Sequence, residues 1–444
     1  MRRLMVVGLD CAAPRLLYDE LLGELPTFQE LLSQGRAYMR SSHPPITIPA
    51  WAVMTTGKTP GELGIYGFRH RKPGVYEDFY IVNSRYVREP HIWDVLGRRG
   101  LRSIVVGVPP SYPPRPLRGL MVSDFITPGP ESPYTFPPGL KAELEERFGP
   151  YIFDVPFRIE DRDRIVRGLW EMTEQHFHVL EYLAGKRWDF FMFVEIGVDR
   201  VHHAFWGYMD PGHRKYVPGN PYENVIRDYY RLVDEKLASL LKRVPRDTVV
   251  MVVSDHGAKA MKGAFAVNQW LAEQGYLVFE DPGRPGTDLR DARVDWSRTT
   301  AWGWGGYYAR IFINLKGREP QGTVDPGDYE DVRDTLAREI ERIRGPSGEK
   351  WETRVYRPEE LYPAVRGDPP DLMVYFDDLS WRSAGTVGWP SPYLEENDRG
   401  PDDAVHDWLG VLAVYDPEES YTVSGTVDIA RVRRVMEEAM GLEG

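Results

Sequence analysis

Four stretches far apart in the sequence place acid and imidazole side chains where they could share a metal ion. Asp10 directly follows the apolar run Leu4–Leu9, and Asp199 and His203 follow the run that begins at Phe190. Asp255-His256-Gly257 comes after Thr248–Val253, and His406 stands just before Leu409–Val414. Carboxylates and neutral imidazoles form a donor set that suits zinc, with manganese and other divalent ions also accommodated. Taken singly, each residue has an ordinary structural role: an Asp after a strand caps a helix or closes a turn, and a lone His hydrogen-bonds. The Asp-His-Gly triplet is more particular, because glycine lets the backbone approach an ion closely. Thr47 adds a hydroxyl, within Pro44-Pro45-Ile46-Thr47-Ile48-Pro49-Ala50-Trp51 and ahead of Met54-Thr55-Thr56-Gly57, whose glycine marks a helix end. A threonine at a helix start has unpaired backbone N–H groups and the positive dipole end beside it, a ready environment for a phosphoryl oxygen. A plain N-cap threonine would look the same.

The elements that must position these residues are legible as apolar runs. Leu4–Leu9, Ser103–Val108, Phe190–Ile196, Thr248–Val253, Leu372–Phe376 and Leu409–Val414 read as buried strands. Tyr222–Leu241, with Val225, Tyr229, Val233, Leu237 and Leu240 at helical spacing, is the clearest helix between them. Strands alternating with helices predict an α/β fold with a mostly parallel central sheet covered on both faces. Ligands of such sheets bind outside the carboxyl ends of the strands, which is where Asp10, Asp199, His203, Asp255 and His256 fall. After His256 the pattern changes: Pro, Gly and Asp punctuate Asp281–Asp295, and a separate strand-like run, Arg310–Leu315, precedes a helical pattern at Asp328–Arg344. We therefore expect a core of residues 1–260 and 365–444, with 261–364 as an inserted cap.

Composition narrows the partners. A chain of 444 residues with 42% hydrophobic and 12% aromatic content can bury a large core. Its net charge of −12 offers no nucleic-acid-binding surface, so a phosphate ligand must be held by local cations or metals. Cys11 is the only cysteine, which excludes disulfides within the chain and multi-cysteine metal sites and fits a reducing cytoplasm. The apolar run after Met1-Arg2-Arg3 is too short for a signal peptide, and no stretch reaches the ~18 apolar residues of a spanning helix. No membrane association is expected, and the sequence does not speak to oligomeric state.

Together these motifs resemble the type I phosphodiesterase and nucleotide pyrophosphatase branch of the alkaline phosphatase superfamily, in particular its prokaryotic phosphohydrolase or phosphomutase-like members. The resemblance runs over nearly the whole chain. It covers Gly8-Leu9-Asp10, Thr47-Ile48-Pro49-Ala50-Trp51, Thr56-Gly57, Gly64-Ile65-Tyr66, Asp199-x-x-x-His203, Ser254-Asp255-His256-Gly257 and His406 leading into Gly410-Val411-Leu412. Val267–Leu271 and Tyr307–Asn314 also look like family segments. The resemblance implies an alkaline-phosphatase-like α/β/α sandwich, two divalent metal ions and a phosphorylated small-molecule substrate. It further implies that one ion is held by Asp199, His203 and His406 and the other by Asp10, Thr47, Asp255 and His256. Thr47 would be the nucleophile, passing through a phospho-threonine intermediate. His202 could exchange roles with His203 if the register of that segment shifted.

The pattern departs from nucleotide-cleaving members in two places. Ile48-Pro49-Ala50-Trp51 stands where they carry Phe-Pro-Asn-His, and Gly67 and Phe68 occupy the neighbourhood of their phosphate-binding asparagine. Lys58, Arg69, His70 or Lys259 could make that contact instead, Lys259 being the one we name as a site residue. Trp51, Tyr66 and Phe68, with Trp302, Trp304 and Tyr307, could wall a substrate pocket. The leading expectation is a two-metal phosphodiesterase. The alternatives are a phosphomonoesterase or phosphomutase on the same fold, and a protein that binds metal or phosphoryl ligands without turnover. A sulfatase is disfavoured because Cys11 lies outside the motif that such enzymes convert to an aldehyde.

Overall fold

In the computed structural model, which describes residues 2–76 and 78–442, the run Leu4–Leu9 is strand β1, buried at every position. Its parallel neighbours are β6 (Phe190–Glu195) and β7 (Val249–Val253), both buried along their whole length. Burial on both faces is why these segments read as unbroken apolar runs and not as alternating ones. Seen in order across the sheet, β9 (Thr426–Asp428), β2 (Arg36–Arg40), β8 (Leu409–Tyr415), β7, β1, β6, β3 (Ser103–Val106), β4 (Gly119–Val122) and β5 (Thr135–Phe136) make nine strands. The five from β7 to β4 are mutually parallel. β8 runs antiparallel to both β7 and β2, so β2 points the same way as the parallel set.

Alternate side chains of these strands serve opposite faces. Leu4, Val6, Met192, Val194, Met251 and Val253 pack with Trp51 and Met54 of helix α1 (Thr47–Thr56) and with Val432 and Met436 of α5 (Ile429–Ala439). On the other side Phe193 meets Phe177 of α2 (Arg162–Ala184) edge-on at 5.9 Å, and α2 packs with α3 (Gly197–Met209) and α4 (Val225–Leu241). The result is the expected α/β/α sandwich. Two helix starts are set by aspartates that accept backbone N–H bonds, Asp161 from Arg164 and Asp428 from Ala430.

Contacts divide the chain into one unit of residues 1–68, 82–258 and 406–444 and a second of 69–81 and 259–405. The second unit contains the stretch 261–364 read from the sequence, but extends to 405 and takes in 69–81. The Leu372–Phe376 run is a strand, Leu372–Tyr375, yet it pairs antiparallel with Ala309–Ile313 in the four-stranded sheet of that second unit and not with the nine-stranded sheet. The core of this unit gathers Trp302, Ile311, Phe312, Ile313, Leu336, Ile340 and Val374. Among the described residues, no helix is long and apolar enough to cross a membrane.

Candidate metal centre

All the sequence-selected acids and imidazoles emerge at one edge of the nine-stranded sheet. Asp10 follows β1, Asp199 and His203 lie on the first turns of α3 after β6, and Asp255 and His256 follow β7. Thr47 starts α1 after β2. Because β8 is antiparallel, its beginning lies at the edge where the parallel strands end, and His406 on the short strand Ala404–Asp407 is delivered there. Spacing on α3 brings Asp199 and His203, four residues apart, onto one face, with Asp199 Oδ1 3.2 Å from His203 Nε2.

Two clusters result. Asp199, His203 and His406 come together with Cys11, and Asp10, Asp255 and His256 form the other; the donor atoms within each cluster all lie within 4.8 Å of one another. The two abut, since the His256 and His406 rings stack at 3.7 Å and His256 Nε2 lies 3.1 Å from Asp255 Oδ2 and 3.7 Å from Asp10 Oδ1. Every one of these side chains is buried, none more than 3% exposed. Thr47 is the exception, half-buried at the first position of α1. Its Oγ1 lies 3.4 Å from Asp10 Oδ1 and 3.3 Å from His256 Nε2. Ile46 is the N-cap and no side chain caps α1, so the hydroxyl is not committed to the helix end.

The candidate ligands are held from behind. Trp51, one helical turn beyond Thr47, donates its indole N–H to Asp10 Oδ2 at 2.8 Å. The Cys11 backbone N–H donates to Asp255 Oδ1, and His406 Nδ1 lies 2.7 Å from the Pro45 carbonyl, a bond that leaves Nε2 to face Asp199. Arg200 donates to Asp199 Oδ2 at 2.7 Å and grips Asp154 with its other nitrogens. Such partners fix ligand orientation as surely as the ligands fix an ion.

The site crowds buried charges of both signs together. Burial pushes Asp10 well above the usual carboxylate range, and nearby Asp255 and Asp199 add to it. Burial opposes charge on His256 as well, but Asp255, Asp10 and Asp199 outweigh it and push that ring up to about 9. Asp199 is also desolvated, yet His203, Arg200 and His406 hold its carboxyl well below the ordinary value. Burial and the neighbouring His256 ring hold His406 well below its own. Asp199 Oδ1 and Asp255 Oδ2 make no well-formed hydrogen bond and meet only imidazole Nε2 atoms, of His203 at 3.2 Å and of His256 at 3.1 Å, an arrangement in which an ion could take the imidazole proton's place. The donor set and these orphaned oxygens both fit divalent cations.

Other expectations are redirected by packing. Trp51 and Tyr66 are fully buried, so they are not walls open to a substrate; Trp51 instead steadies Asp10. Phe68, partly buried, stacks on Phe125. Lys259, in the second unit, reaches the Asp378 carbonyl at 2.5 Å and is engaged there. Trp302 is fully enclosed between Trp296 and Phe312 in the second unit's core, and Tyr307 donates to Asp402. His202 turns away from both clusters, stacking on Tyr230 with Nε2 3.1 Å from its hydroxyl. Sequence reasoning overlooked Cys11 and Arg200. The only signal for either was adjacency, each directly following a candidate ligand.

Residues 4–402 match the family model for type I phosphodiesterase / nucleotide pyrophosphatase. No curated protein matches the chain. Among solved structures, murine ectonucleotide pyrophosphatase / phosphodiesterase 5 is similar at a TM-score of 0.54 and 14% identity, the alignment covering 100% of this chain and 96% of the murine one. An inactive variant of that murine protein in complex with AMP is similar at a TM-score of 0.55, with the same identity and coverage. The chain belongs to the type I phosphodiesterase / nucleotide pyrophosphatase family, a family of phosphoric-ester hydrolases within the alkaline phosphatase superfamily.

Proposed function

We propose that this enzyme hydrolyses phosphodiesters with two divalent cations, most suitably zinc, through a covalent phospho-threonine at Thr47. The observation that carries the reading is the position of the Thr47 hydroxyl: partly exposed where the acid and imidazole clusters are buried, it lies 3.4 Å from Asp10 and 3.3 Å from His256. Asp199, His203 and His406 would hold one ion, and Asp10, Asp255, His256 and Thr47 Oγ1 the other. Bound cations supply charge neutralisation for a transferring phosphoryl group and acidify the hydroxyl or water that attacks it.

The chain's own groups do the rest. Thr47 Oγ attacks phosphorus as its proton passes to solvent, and the P–O bond to the alcohol or nucleotide breaks on the opposite side, the departing oxygen taking a proton from water. The backbone N–H groups of Thr47 and Ile48 open α1 beside the Thr47 hydroxyl, where a helix N-terminus favours phosphoryl oxygens. Water then attacks the phospho-threonine, restoring the hydroxyl. Arg200 and Trp51 keep Asp199 and Asp10 from rotating as charge moves. A diester is favoured because a dianionic monoester has one more terminal oxygen to bind, and the site offers no ligand cluster beyond these two among the described residues. The AMP seen on the murine relative makes nucleotide esters the first substrates to try.

The test is a comparison of kcat/KM for an aryl phosphate and its alkyl or nucleotide diester, on protein loaded with zinc or with manganese. A clear diester advantage is expected. A monoester advantage would move the reading to phosphatase or phosphomutase chemistry, and no turnover of either with two ions bound would leave a binding protein.

A further inference from the structure

Cys11 was excluded as a disulfide partner and as an aldehyde precursor, and the mechanism above does not use it. Its location gives it another role. The side chain is fully buried, and its Sγ lies within 4.8 Å of the donor atoms of Asp199, His203 and His406. The thiol points to the Gly257 carbonyl at 3.5 Å, a weak bond for a thiol. A second observation points to an ion here: Asp199 Oδ1 is buried without a hydrogen-bond partner and faces His203 Nε2 at 3.2 Å and His406 Nε2 at 3.7 Å. The other Asp199 oxygen is already taken by Arg200, so only Oδ1 is left to meet a cation in this cluster. The backbone at Cys11 has φ of +66°, where glycine would be at ease, yet the position carries a side chain with one soft donor.

We propose that Cys11 Sγ is the fourth protein ligand of the ion held by Asp199, His203 and His406, giving this centre one sulfur, two imidazole nitrogens and one carboxylate oxygen. The inference rests on the two-ion reading above. Ion binding displaces the thiol proton to solvent, and the thiolate then bonds to the cation. Two consequences separate this centre from its neighbour. A sulfur donor selects zinc, cobalt or cadmium over manganese and magnesium, whereas the Asp10, Asp255, His256 cluster has only nitrogen and oxygen donors. Four protein ligands also leave this ion fewer open positions for substrate oxygens than its neighbour, against which Thr47 lies.

The experiment uses full-length protein stripped of metal and titrated with cobalt(II), followed by zinc X-ray absorption. Two equivalents should bind, and one of them should bring a sulfur-to-cobalt charge-transfer band in the near ultraviolet. Zinc-loaded protein should show a sulfur scatterer at about 2.3 Å. Cys11→Gly suits the left-handed backbone and keeps the fold; it should lose the band, retain the other equivalent, and bind zinc at the altered centre at least about ten-fold more weakly. Its preference for zinc over manganese there should shrink with it. Two bound ions in the wild type with neither band nor sulfur scatterer overturn the assignment of Cys11 alone. Binding of no ion at all overturns both this assignment and the two-ion reading.

Discussion

Thr47 and His406 carry the sharpest predictions, because each is one candidate donor among several. Thr47→Ala should leave two ions bound and reduce diester turnover below a tenth of wild type, a loss of more than ~1.4 kcal/mol of transition-state stabilisation. Thr47→Ser keeps a hydroxyl and should retain measurable turnover; paired rate and metal analyses decide. His406→Ala should release one ion and keep the other, read by elemental analysis after dialysis, since His406 Nε2 faces Asp199 of its own cluster. Two ions held at wild-type affinity would remove His406 from the site. Asp10, Asp199, Asp255 and His256 were visible in the sequence because each comes after a buried apolar run of the parallel set; Thr47 was visible as a helix start, and His406, which precedes its run, reaches the same edge only because β8 is antiparallel. Arg200 and Trp51 were not readable in the same way. Their roles come from what lies opposite them in space, Asp199 with Asp154 in one case and Asp10 in the other.

At the scale of elements, α1 lies so close to β1 that one atom is missing from the strand. A methyl group on Gly8 would sit 2.6 Å from the Phe193 carbonyl oxygen and 2.9 Å from the Trp51 ring, both closer than carbon tolerates. Gly8→Ala should therefore cost about 1–3 kcal/mol, read as a lower urea midpoint, and weaken the Asp10 ion by displacing Trp51. Gly23→Ala, with nothing within 4 Å of the added carbon, is the control and should be neutral. A Gly8→Ala midpoint equal to that of the control would show that the strand and helix yield freely. Strands were easy to foresee and their sheet membership was not. Leu372–Phe376 and Phe190–Ile196 are both strongly apolar runs, and an apolar run reports burial without naming the partner strand. Register and direction decided that the first pairs with Ala309–Ile313 and the second with β1.

For the molecule as a whole, stability should depend on pH through a histidine remote from the metal ligands. His91 is enclosed, its Nδ1 2.9 Å from Thr55 Oγ1 and its ring stacked on Trp93. Burial first, then Arg115 and Arg433, depress it to about 3. An unfolded chain protonates this ring near 6.5, so the stability it contributes is complete above that pH and is lost as pH falls toward 3. Between pH 6.5 and 5 the loss is about 2 kcal/mol. Urea unfolding at pH 7 and 5 should show His91→Asn losing less stability on acidification than wild type by about that amount; equal losses would refute the assignment.

The insertion of β8 between β2 and β7 also sets an order of events during synthesis. Residues 409–415 fill a slot in the interior of the sheet, hydrogen-bonded on one side to Arg36–Arg40 and on the other to β7. Until they leave the ribosome, the β7 edge is unpaired and exposes an apolar strand, Val249–Val253, the kind of edge that recruits other chains. His406 arrives in the same stretch of nascent chain. Closure of that edge and delivery of the last candidate ligand are thus one step, and a ribosome stalled before this segment holds a chain that cannot bury its sheet.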